Sequence, residues 1–312
     1  MKYLKHIFTS IILAVGVVIC AFRWNAWFSN PAEPAWEADT LDIHFNTSIP
    51  LTGDTTTILL LGDVHNSLTR AQYQTIADRH PQIDAYAQLG DFMERGYFYY
   101  AQQLVHELDG TPIRNLPIIN CAGNHEYRKG IARRLPPMWF EMFPHPQNGP
   151  INFLGRTYYI DFPYLRYIVI DTNGIHDLRD FTRVVTWLKT ILQGAGGRFT
   201  VVMMHHPVLS SASGRFNPGV FTFFLRTLRE ADLVFAGHDH NYARRLPFVN
   251  ISSVTTRSRE PKGLFFGLVP FEKSSEGAFY AILLSTGQTL QLDVYDIEDG
   301  TLIDSCSLQH QP

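Results

Sequence analysis

A short apolar run that ends in a polar cluster constrains the fold of this chain more than any other feature. Residues 58–61 are Ile-Leu-Leu-Leu, and they are followed by Gly62, Asp63, Val64 and His65. An apolar run without polar alternation is typical of a strand that is covered on both faces. Because side chains alternate along a strand, Asp63 and His65 can face one point beyond its carboxyl end. Ligands bind at this edge of layered α/β sheets.

Four later apolar runs end in the same way. They are residues 86–89, followed by Gly90-Asp91; 117–121, followed after Ala122 by Gly123-Asn124-His125-Glu126; 200–204, followed by His205-His206; and 233–236, followed by Gly237-His238-Asp239-His240. Independent turns would not need Asp, Asn or His beside the strand each time. Carboxylate and imidazole groups together suit Mn, Fe or Zn. The five clusters therefore predict one shared metal site at the carboxyl edges of the strands.

Segments with helical spacing lie between these runs, at residues 68–79, 97–108, 181–192 and 220–228. Strands that alternate with helices are typical of a layered α/β sheet. After residue 246 the pattern changes to short strand-like runs, with Gly287 and Gly300 at the hairpin turns. The sequence therefore predicts an α/β core followed by a β-rich tail.

Over residues 57–245 the polar clusters resemble the ordered blocks of the calcineurin-like metallophosphoesterase family. These blocks are Asp-x-His, Gly-Asp, Gly-Asn-His-Glu, a later His, and Gly-His-x-His. The resemblance implies a four-layer α/β/β/α sandwich of two mixed sheets flanked by helices, and the β-rich tail suits the second sheet. It also implies a phosphoester substrate and, as cofactors, two transition-metal ions such as Mn, Fe or Zn.

The same resemblance implies a ligand set for the two ions. Asp63, His65 and His240 would hold the first ion, and Asn124, His205 and His238 the second, with Asp91 bridging both. Ions held in this way would ready a bridging hydroxide for attack on phosphorus. His206 is expected to lie behind this set or to face the substrate.

Three more residues receive roles from the resemblance. His125 is expected to donate a proton to the leaving group or to orient the substrate. Residues 90–96 resemble the Gly-Asp-x-x-Asp-Arg-Gly block of protein Ser/Thr phosphatases, except that Glu94 replaces the second Asp. On this basis Glu94 is expected to hold His125, and Arg95 to clamp phosphate oxygens. The alternative for Glu94 and Arg95 is a solvated pair of loop charges.

The expected function is metal-dependent hydrolysis of phosphoesters, because the complete ligand set is present. The choice between monoesters and diesters, including cyclic nucleotides, stays open because rim loops select the substrate. A membrane-tethered binding protein without catalysis is the alternative from a different class. The formal net charge of −3 gives no reason to expect nucleic acid as a partner.

The start of the chain predicts attachment to a membrane. Lys2 and Lys5 precede an apolar run at residues 7–22, slightly shorter than the ~20 residues that span a bilayer. We interpret residues 1–29 as a single-pass anchor helix, with a cleaved signal peptide as the alternative.

The remainder then divides into a tether and one domain. Residues 30–54 are rich in Pro, Ala, Thr and acids, and they contain a candidate strand at residues 41–45. Residues 55–312 are expected to form the metallophosphoesterase domain. Because the positive leading end stays in the cytoplasm, this domain is expected on the extracytoplasmic side of the membrane.

Overall fold

The computed structural model describes residues 42–49, 53–128, 134–212, 215, 217–263 and 270–310. Its strands are β1 (Thr55–Leu61), β2 (Ala85–Gln88), β3 (Ile118–Asn120), β4 (Tyr158–Asp161), β5 (Leu165–Ile170), β6 (Phe199–Met204), β7 (Leu233–Ala236), β8 (Tyr242–Arg245), β9 (Phe248–Asn250), β10 (Lys273–Ser275), β11 (Phe279–Thr286), β12 (Thr289–Asp296) and β13 (Leu302–Gln309). Its helices are α1 (Arg70–Arg79), α2 (Phe98–Leu108), α3 (Pro112–Asn115), α4 (Pro137–Met142), α5 (Leu178–Gln193) and α6 (Pro218–Leu228).

These strands form two mixed sheets. The first sheet has the order β13-β12-β11-β1-β2-β3, and the second has the order β10-β8-β9-β7-β6-β5-β4. In the first sheet β1, β2 and β3 are parallel, with Leu61 opposite Gln88. In the second sheet β5, β6 and β7 are parallel, with Met204 opposite Ala236. The carboxyl ends of neighbouring strands therefore lie level with one another.

Three apolar clusters place the sheets and helices in layers. The side chain of Leu59 packs with α1 and α2 on the outer face of the first sheet. Leu60 points the other way and packs between the sheets, in the cluster that contains Val201. Val202 faces outward from the second sheet toward α5, in the cluster that contains Leu188. The two mixed sheets flanked by helices that the resemblance implied are confirmed, and β1 is buried on both faces as its apolar run predicted.

Part of the segment interpreted as a tether packs on the domain. The Phe45 ring lies 5.1 Å from the Phe143 ring, and the Phe45 N–H donates a hydrogen bond to the carbonyl of Met142. The Ile118 N–H donates to the carbonyl of Asn46 at the start of β3. Apolar burial and main-chain hydrogen bonds therefore hold this stretch against α4 and the first sheet.

The candidate strand at residues 41–45 is not found in the part of it that is described. Residues 42–49 have no regular secondary structure. Their main chain makes single hydrogen bonds to separate elements, instead of the repeated pairing that defines a sheet ladder.

The anchor helix predicted within residues 1–29 lies outside the described residues, so it stays a prediction. Among the described residues, no helix is both long enough and apolar enough to cross a bilayer.

A buried histidine couples the stability of this fold to pH. The His145 ring lies between the rings of Phe143 and Tyr158, with centroid distances of 6.0 and 4.4 Å. Neither ring nitrogen makes a hydrogen bond within the described residues. Because burial disfavours the charged imidazolium, the pKa of His145 is lowered to about 3.

We expect acid to weaken the fold through His145. The unfolded chain binds this proton near pH 6.5, and the folded chain binds it only near pH 3. Stability is therefore full above the unfolded pKa and falls by about 1.4 kcal/mol per pH unit between the two values. His145→Phe keeps a stacked ring and removes the titration. The free energy of unfolding of the variant in urea, minus that of wild type, should therefore increase as the pH falls from 7 to 5.

The exposed His176 offers a matched control, because His176→Phe removes a histidine that is already in water. All other titrating groups are common to the variants and cancel in the difference. If the free energies of unfolding of His145→Phe and wild type changed with pH in parallel, His145 would not be a neutral buried imidazole.

Candidate metal centre

Loops after five parallel strands meet where the two sheets face each other, and they carry every predicted ligand. Three sets of residues at this edge each bring their donor atoms within 4.8 Å of one another. The sets are Asp63, His65 and His240; Asp63, Asp91 and His205; and His205, His206 and His238. A fourth set consists of His65, Asp91 and His125. Asn124, the remaining predicted ligand, places its Oδ1 3.1 Å from Nε2 of His205. The seven predicted ligands therefore form one cluster.

The first predicted ion site is formed by residues from both sheets. Asp63 and His65 follow β1, and His240 follows β7. The rings of His65 and His240 lie 5.2 Å apart. Nδ1 of His240 lies 3.1 Å from the carbonyl oxygen of Arg257 and donates a hydrogen bond to it. This contact leaves Nε2 of His240 as the nitrogen that would bind a metal.

The second predicted site centres on Nε2 of His205. This atom lies 3.1 Å from Oδ1 of Asn124, 3.2 Å from Nδ1 of His238 and 3.3 Å from Oδ2 of Asp91. Nδ1 of His205 lies 3.1 Å from the carbonyl oxygen of Leu89 and donates to it. With that proton on Nδ1, Nε2 of His205 carries a lone pair, and so do the three atoms around it. A cation bound among these four atoms would satisfy their lone pairs.

The negative charges of two buried carboxylates at the centre would also be stabilised by cations. Asp63 and Asp91 are almost completely buried, and within the described residues neither carboxylate pairs with a lysine or arginine. Burial raises the pKa of Asp63 to about 6. Burial would also raise the pKa of Asp91, but the nearby His205, His125 and His65 lower it well below its usual value. Two buried carboxylates that face imidazoles match the donor set of a divalent metal site.

Buried polar atoms without partners support the same conclusion. Both ring nitrogens of His65 and Oδ2 of Asp91 make no hydrogen bond of good geometry in the described part of the chain. Burial lowers the pKa of His205, but the carboxylates of Asp91 and Asp63 outweigh it and raise the value to about 9. The negative surroundings that raise this pKa would favour a metal ion at the same place. The residues present therefore fit two metal ions.

The local backbone is unusual at this edge. Six residues that are not glycine have φ in the left-handed region here: Asp63 (48°), His65 (50°), Asn66 (54°), Asp91 (52°), His238 (73°) and His240 (58°). Asp, Asn and His tolerate this region better than most residues. The turns direct the side chains beyond the strand ends into the space between the sheets.

Two glycines permit the close approach of the loops. Gly90 has φ of +90°, and a Cβ there would lie 2.6 Å from Nδ1 of His205. A Cβ on Gly123 would lie 2.2 Å from both the main-chain nitrogen and Oδ1 of Asp91. Any larger residue at position 123 would displace the predicted bridging carboxylate.

Glu126 organises the centre, although the sequence pattern assigned it no role beyond membership of the Gly-Asn-His-Glu block. Its buried carboxylate accepts hydrogen bonds from the main-chain N–H groups of Asp91 and Met93, each at 2.9 Å, and of Gly123 at 2.7 Å. Burial and the Asp91 carboxylate raise the pKa of Glu126 to about 7. This side chain ties the loop after β2 to the loop after β3. The sequence signal for this role was the position of Glu126 as the acid of the Gly-Asn-His-Glu block.

The expected contact between Glu94 and His125 exists, but a different atom of Glu94 makes it. Nδ1 of His125 lies 2.6 Å from the main-chain oxygen of Glu94. The Glu94 carboxylate instead lies 3.3 Å from Nδ1 of His65 and 3.0 Å from a terminal nitrogen of Arg257. Burial raises the pKa of Glu94, but His65 and Arg257 together lower it to about 2. The carboxylate therefore lies between an imidazole and a guanidinium that the sequence pattern did not place nearby.

Arg95 lies on the wall of a cleft that also contains Asn124 and His125. His206 places Nδ1 2.8 Å from the Thr172 hydroxyl, beside the second predicted site. Asp239 lies between the predicted ligands His238 and His240 in the sequence. It accepts hydrogen bonds from the main chain and hydroxyl of Ser211 and so holds the loop that follows β6.

A two-sheet α/β fold with carboxylates, an amide and imidazoles at its strand ends defines a metal-binding class of protein. The family model for calcineurin-like phosphoesterases matches residues 56–242, and the chain belongs to that family. The family expectation drawn from the sequence is confirmed.

One curated relative and two solved structures show the range of similarity. A glycerophosphodiester phosphodiesterase, GpdQ, from Enterobacter lignolyticus is 27% identical over 133 residues, which cover 40% of this chain and 45% of the relative. The chain thus spans less than half the length of that relative. A purple acid phosphatase from yellow lupin has a TM-score of 0.62 at 13% identity, over 83% of this chain and 55% of the other.

The second structure is GAP50 of Plasmodium, described as the anchor in the inner membrane complex. Its TM-score is 0.60 at 15% identity, over 83% of this chain and 90% of the other. At these identities the structural similarity shows a shared fold.

Substitution at position 123 tests the geometry of the centre. Because a Cβ there would collide with Asp91, Gly123→Ala should lose about half or more of the transition metal that wild type retains after reconstitution with Mn. Elemental analysis of the desalted protein measures this loss, and far-ultraviolet circular dichroism checks the fold. Gly110→Ala is the control, because a Cβ at Gly110 meets no described atom within 4 Å, and the strain that its φ of +77° places on an alanine touches no predicted ligand. Equal metal content in both variants would contradict the close contact between positions 123 and 91.

Proposed function

We propose that this protein hydrolyses phosphoester bonds at a centre of two transition-metal ions. The ligands would be Asp63, His65, Asp91, Asn124, His205, His238 and His240. The observation that carries the proposal is the pair of buried carboxylates, Asp63 and Asp91, which face imidazoles and which no lysine or arginine neutralises within the described residues. Membership of the calcineurin-like phosphoesterase family supports it.

Two bound ions would act as Lewis acids that polarise phosphoryl oxygens and lower the pKa of a water molecule. The protein's own part is to hold the ligands and to bind the substrate around them. Leu89 and Arg257 support this role, since their carbonyl oxygens fix the ring orientation of His205 and His240. Glu126 supports it by holding the main chain on either side of Asp91.

His125 is proposed as the group that gives a proton to the leaving oxygen. Its N–H donates to Oδ1 of Asp91 at 2.7 Å, and its Nδ1 is held by the carbonyl of Glu94. These two contacts fix the backbone and the ring beside the bridging carboxylate. Nε2 then remains for the substrate. Burial lowers the pKa of His125, which makes the imidazolium a better acid.

Arg95 is proposed to bind phosphoryl oxygens. Its side chain lines the cleft beside Asn124 and His125 and has no carboxylate partner in the described part of the chain. A planar guanidinium can donate two parallel hydrogen bonds to a phosphate group.

Diesters are favoured over monoesters by one observation. The curated relative with which the chain shares 27% identity is a phosphodiesterase acting on glycerophosphodiesters. Cyclic nucleotides are diesters as well and belong in the same test. A second candidate function is binding without catalysis, since a protein described as an anchor shares the fold. The presence of the whole ligand set argues for catalysis.

Turnover with and without metal tests the proposal. We expect the protein reconstituted with Mn to release nitrophenol from bis(4-nitrophenyl) phosphate, and more slowly from 4-nitrophenyl phosphate. A chelator should abolish the release, and added Mn should restore it. Asp63→Asn should lose both metal and activity. A folded protein that retains two metal equivalents and cleaves neither ester would favour the binding function.

A second experiment separates the two roles expected for His125. The nitrophenolate ion leaves without protonation, whereas the phenolate ion needs a proton. If His125 is the proton donor, His125→Ala should lower kcat about 100-fold for phenyl esters but only about tenfold for nitrophenyl esters. Equal losses on both would indicate that His125 orients the substrate. His106→Ala, which alters an exposed histidine on α2, should change neither rate.

A further inference from the structure

We propose that the cleft beside His125 binds the leaving group of the substrate and prefers leaving groups that carry their own negative charge, as a carboxylate or a phosphate. The residue that provides this preference is Arg128, supported by Tyr97 and Gly96. The proposal rests on the proposed function, because it names the class of substrate that the same centre would cleave.

The position of the cleft identifies what it would hold. Its walls are formed by Arg95, Gly96, Tyr97, Asn124, His125, Tyr127 and Arg128. Asn124 is a predicted metal ligand, and His125 is the group proposed to protonate the leaving oxygen. The atoms that extend from that oxygen must therefore lie along the rest of the cleft, against Tyr97 and Arg128.

The cleft has more positive charge than a single phosphoryl group requires. Arg95 and Arg128 both line it, and neither pairs with a carboxylate in the described part of the chain. Two other arginines near the centre pair with carboxylates: Arg257 lies 3.0 Å from Glu94, and Arg156 lies 3.1 Å from Asp171. A third, Arg215, donates to the carbonyl oxygen of His238. If Arg95 binds the transferred phosphoryl group, the charge of Arg128 is left for another anion.

Arg128 is held in place before any ligand binds. Its Nε donates a hydrogen bond to the carbonyl of Gly96 at 3.1 Å, and its guanidinium carbon lies 5.3 Å from the centre of the Tyr97 ring. Gly96 in turn donates its N–H to the carbonyl of His125 at 2.8 Å. Because Nε is occupied, the two terminal nitrogens remain for an anion. A guanidinium fixed in this way loses little freedom on binding.

The nearby acids do not cancel this charge. The Glu94 carboxylate lies against His65 and Arg257, at 3.3 and 3.0 Å. The Glu126 carboxylate is buried and satisfied by three main-chain N–H groups. The cleft is thus locally positive although the whole chain carries a formal charge of −3.

Hydrogen bonds connect the wall of the cleft beside Arg128 to a neighbouring loop. The Tyr127 hydroxyl accepts a hydrogen bond from Arg156 at 2.7 Å and donates one to the buried Asp171. Asn173 adds a hydrogen bond from its amide to the carbonyl of Ala122 at 2.9 Å. These contacts tie the segment that carries His125 and Arg128 to the loop after β5.

Three aryl phosphates test the preference, since their leaving groups differ only at the para position. They carry a carboxylate, a phosphonate or a neutral carboxamide. With the full chain loaded with Mn, we expect kcat/KM to be about tenfold higher for each anionic ester than for the carboxamide, mainly through KM. Arg128→Gln should reduce this ratio to about twofold or less. Arg226→Gln removes the same charge from the surface of α6 and should leave the ratio unchanged.

Binding without turnover keeps this test separate from the proposed function. The free phenols with a para carboxylate or phosphonate should bind to the metal-loaded protein in titrations followed by NMR, and the carboxamide phenol should bind about tenfold more weakly. Arg128→Gln should remove the difference. If no ester is cleaved but the phenols show this pattern, the proposed function fails and the anion site stands.

Two results would overturn the anion site. One is a wild-type ratio near one in both the kinetic and the binding measurements. The other is a preference for anions that survives in Arg128→Gln, because the charge would then act from elsewhere. A stronger effect of the phosphonate than of the carboxylate would assign the site to phosphate, and the reverse would assign it to carboxylate.

Discussion

The buried carboxylates of Asp63 and Asp91 are the constraint on which the rest of the centre depends. They follow neighbouring parallel strands, β1 and β2, whose register sets the strand ends level. Removing two like charges from water and placing them close together is unfavourable by several kcal/mol for each ion. Main-chain N–H groups offset part of this cost, since that of His238 donates to Asp63 and that of His125 to Asp91. The remaining charge is matched by imidazoles and by the cations they would hold. The edge of the fold is therefore built around an electrostatic requirement that apolar packing cannot meet.

At the same edge, several residues adopt an unfavourable backbone conformation that orients their side chains toward the predicted metal sites. Left-handed φ values outside glycine occur at both carboxylates and at three of the predicted histidine ligands. Each such residue costs on the order of 1–3 kcal/mol. The strands that lead into these turns are covered on both faces, so the apolar layers can hold the turns in place. This distribution separates the two tasks of the chain. The layers supply stability, and the strained loops at their edge supply the geometry of the ligands.

Much of this arrangement could be predicted from local sequence features. Apolar runs reveal buried strands, and the residue after each run must lie at the strand end, so the ligand positions follow from adjacency along the chain. Contacts between distant segments could not be predicted in this way. Arg257 meets Glu94 across 163 residues, and Tyr242 bonds Asp304 across 62. The partner of Glu94 depends on where its carboxylate points beyond the strand end, which no periodicity encodes. The packing of Phe45 on Phe143 depends on a chain path that becomes visible only in three dimensions.

The two sides of the proposed reaction site have opposite electrostatic demands. Around Asp63 and Asp91 the protein offers negative charge and needs cations, whereas along Arg95 and Arg128 it offers positive charge and needs anions. His125 lies at the boundary, with its main-chain N–H on the Asp91 carboxylate and its ring on the cleft wall. A substrate with negative charge at both ends can satisfy both demands in one orientation. If its phosphoryl group lies on the metal ions and its second anion on Arg128, the leaving oxygen is placed beside His125. Charge alone would then orient the substrate before any specific contact to its carbon skeleton is made.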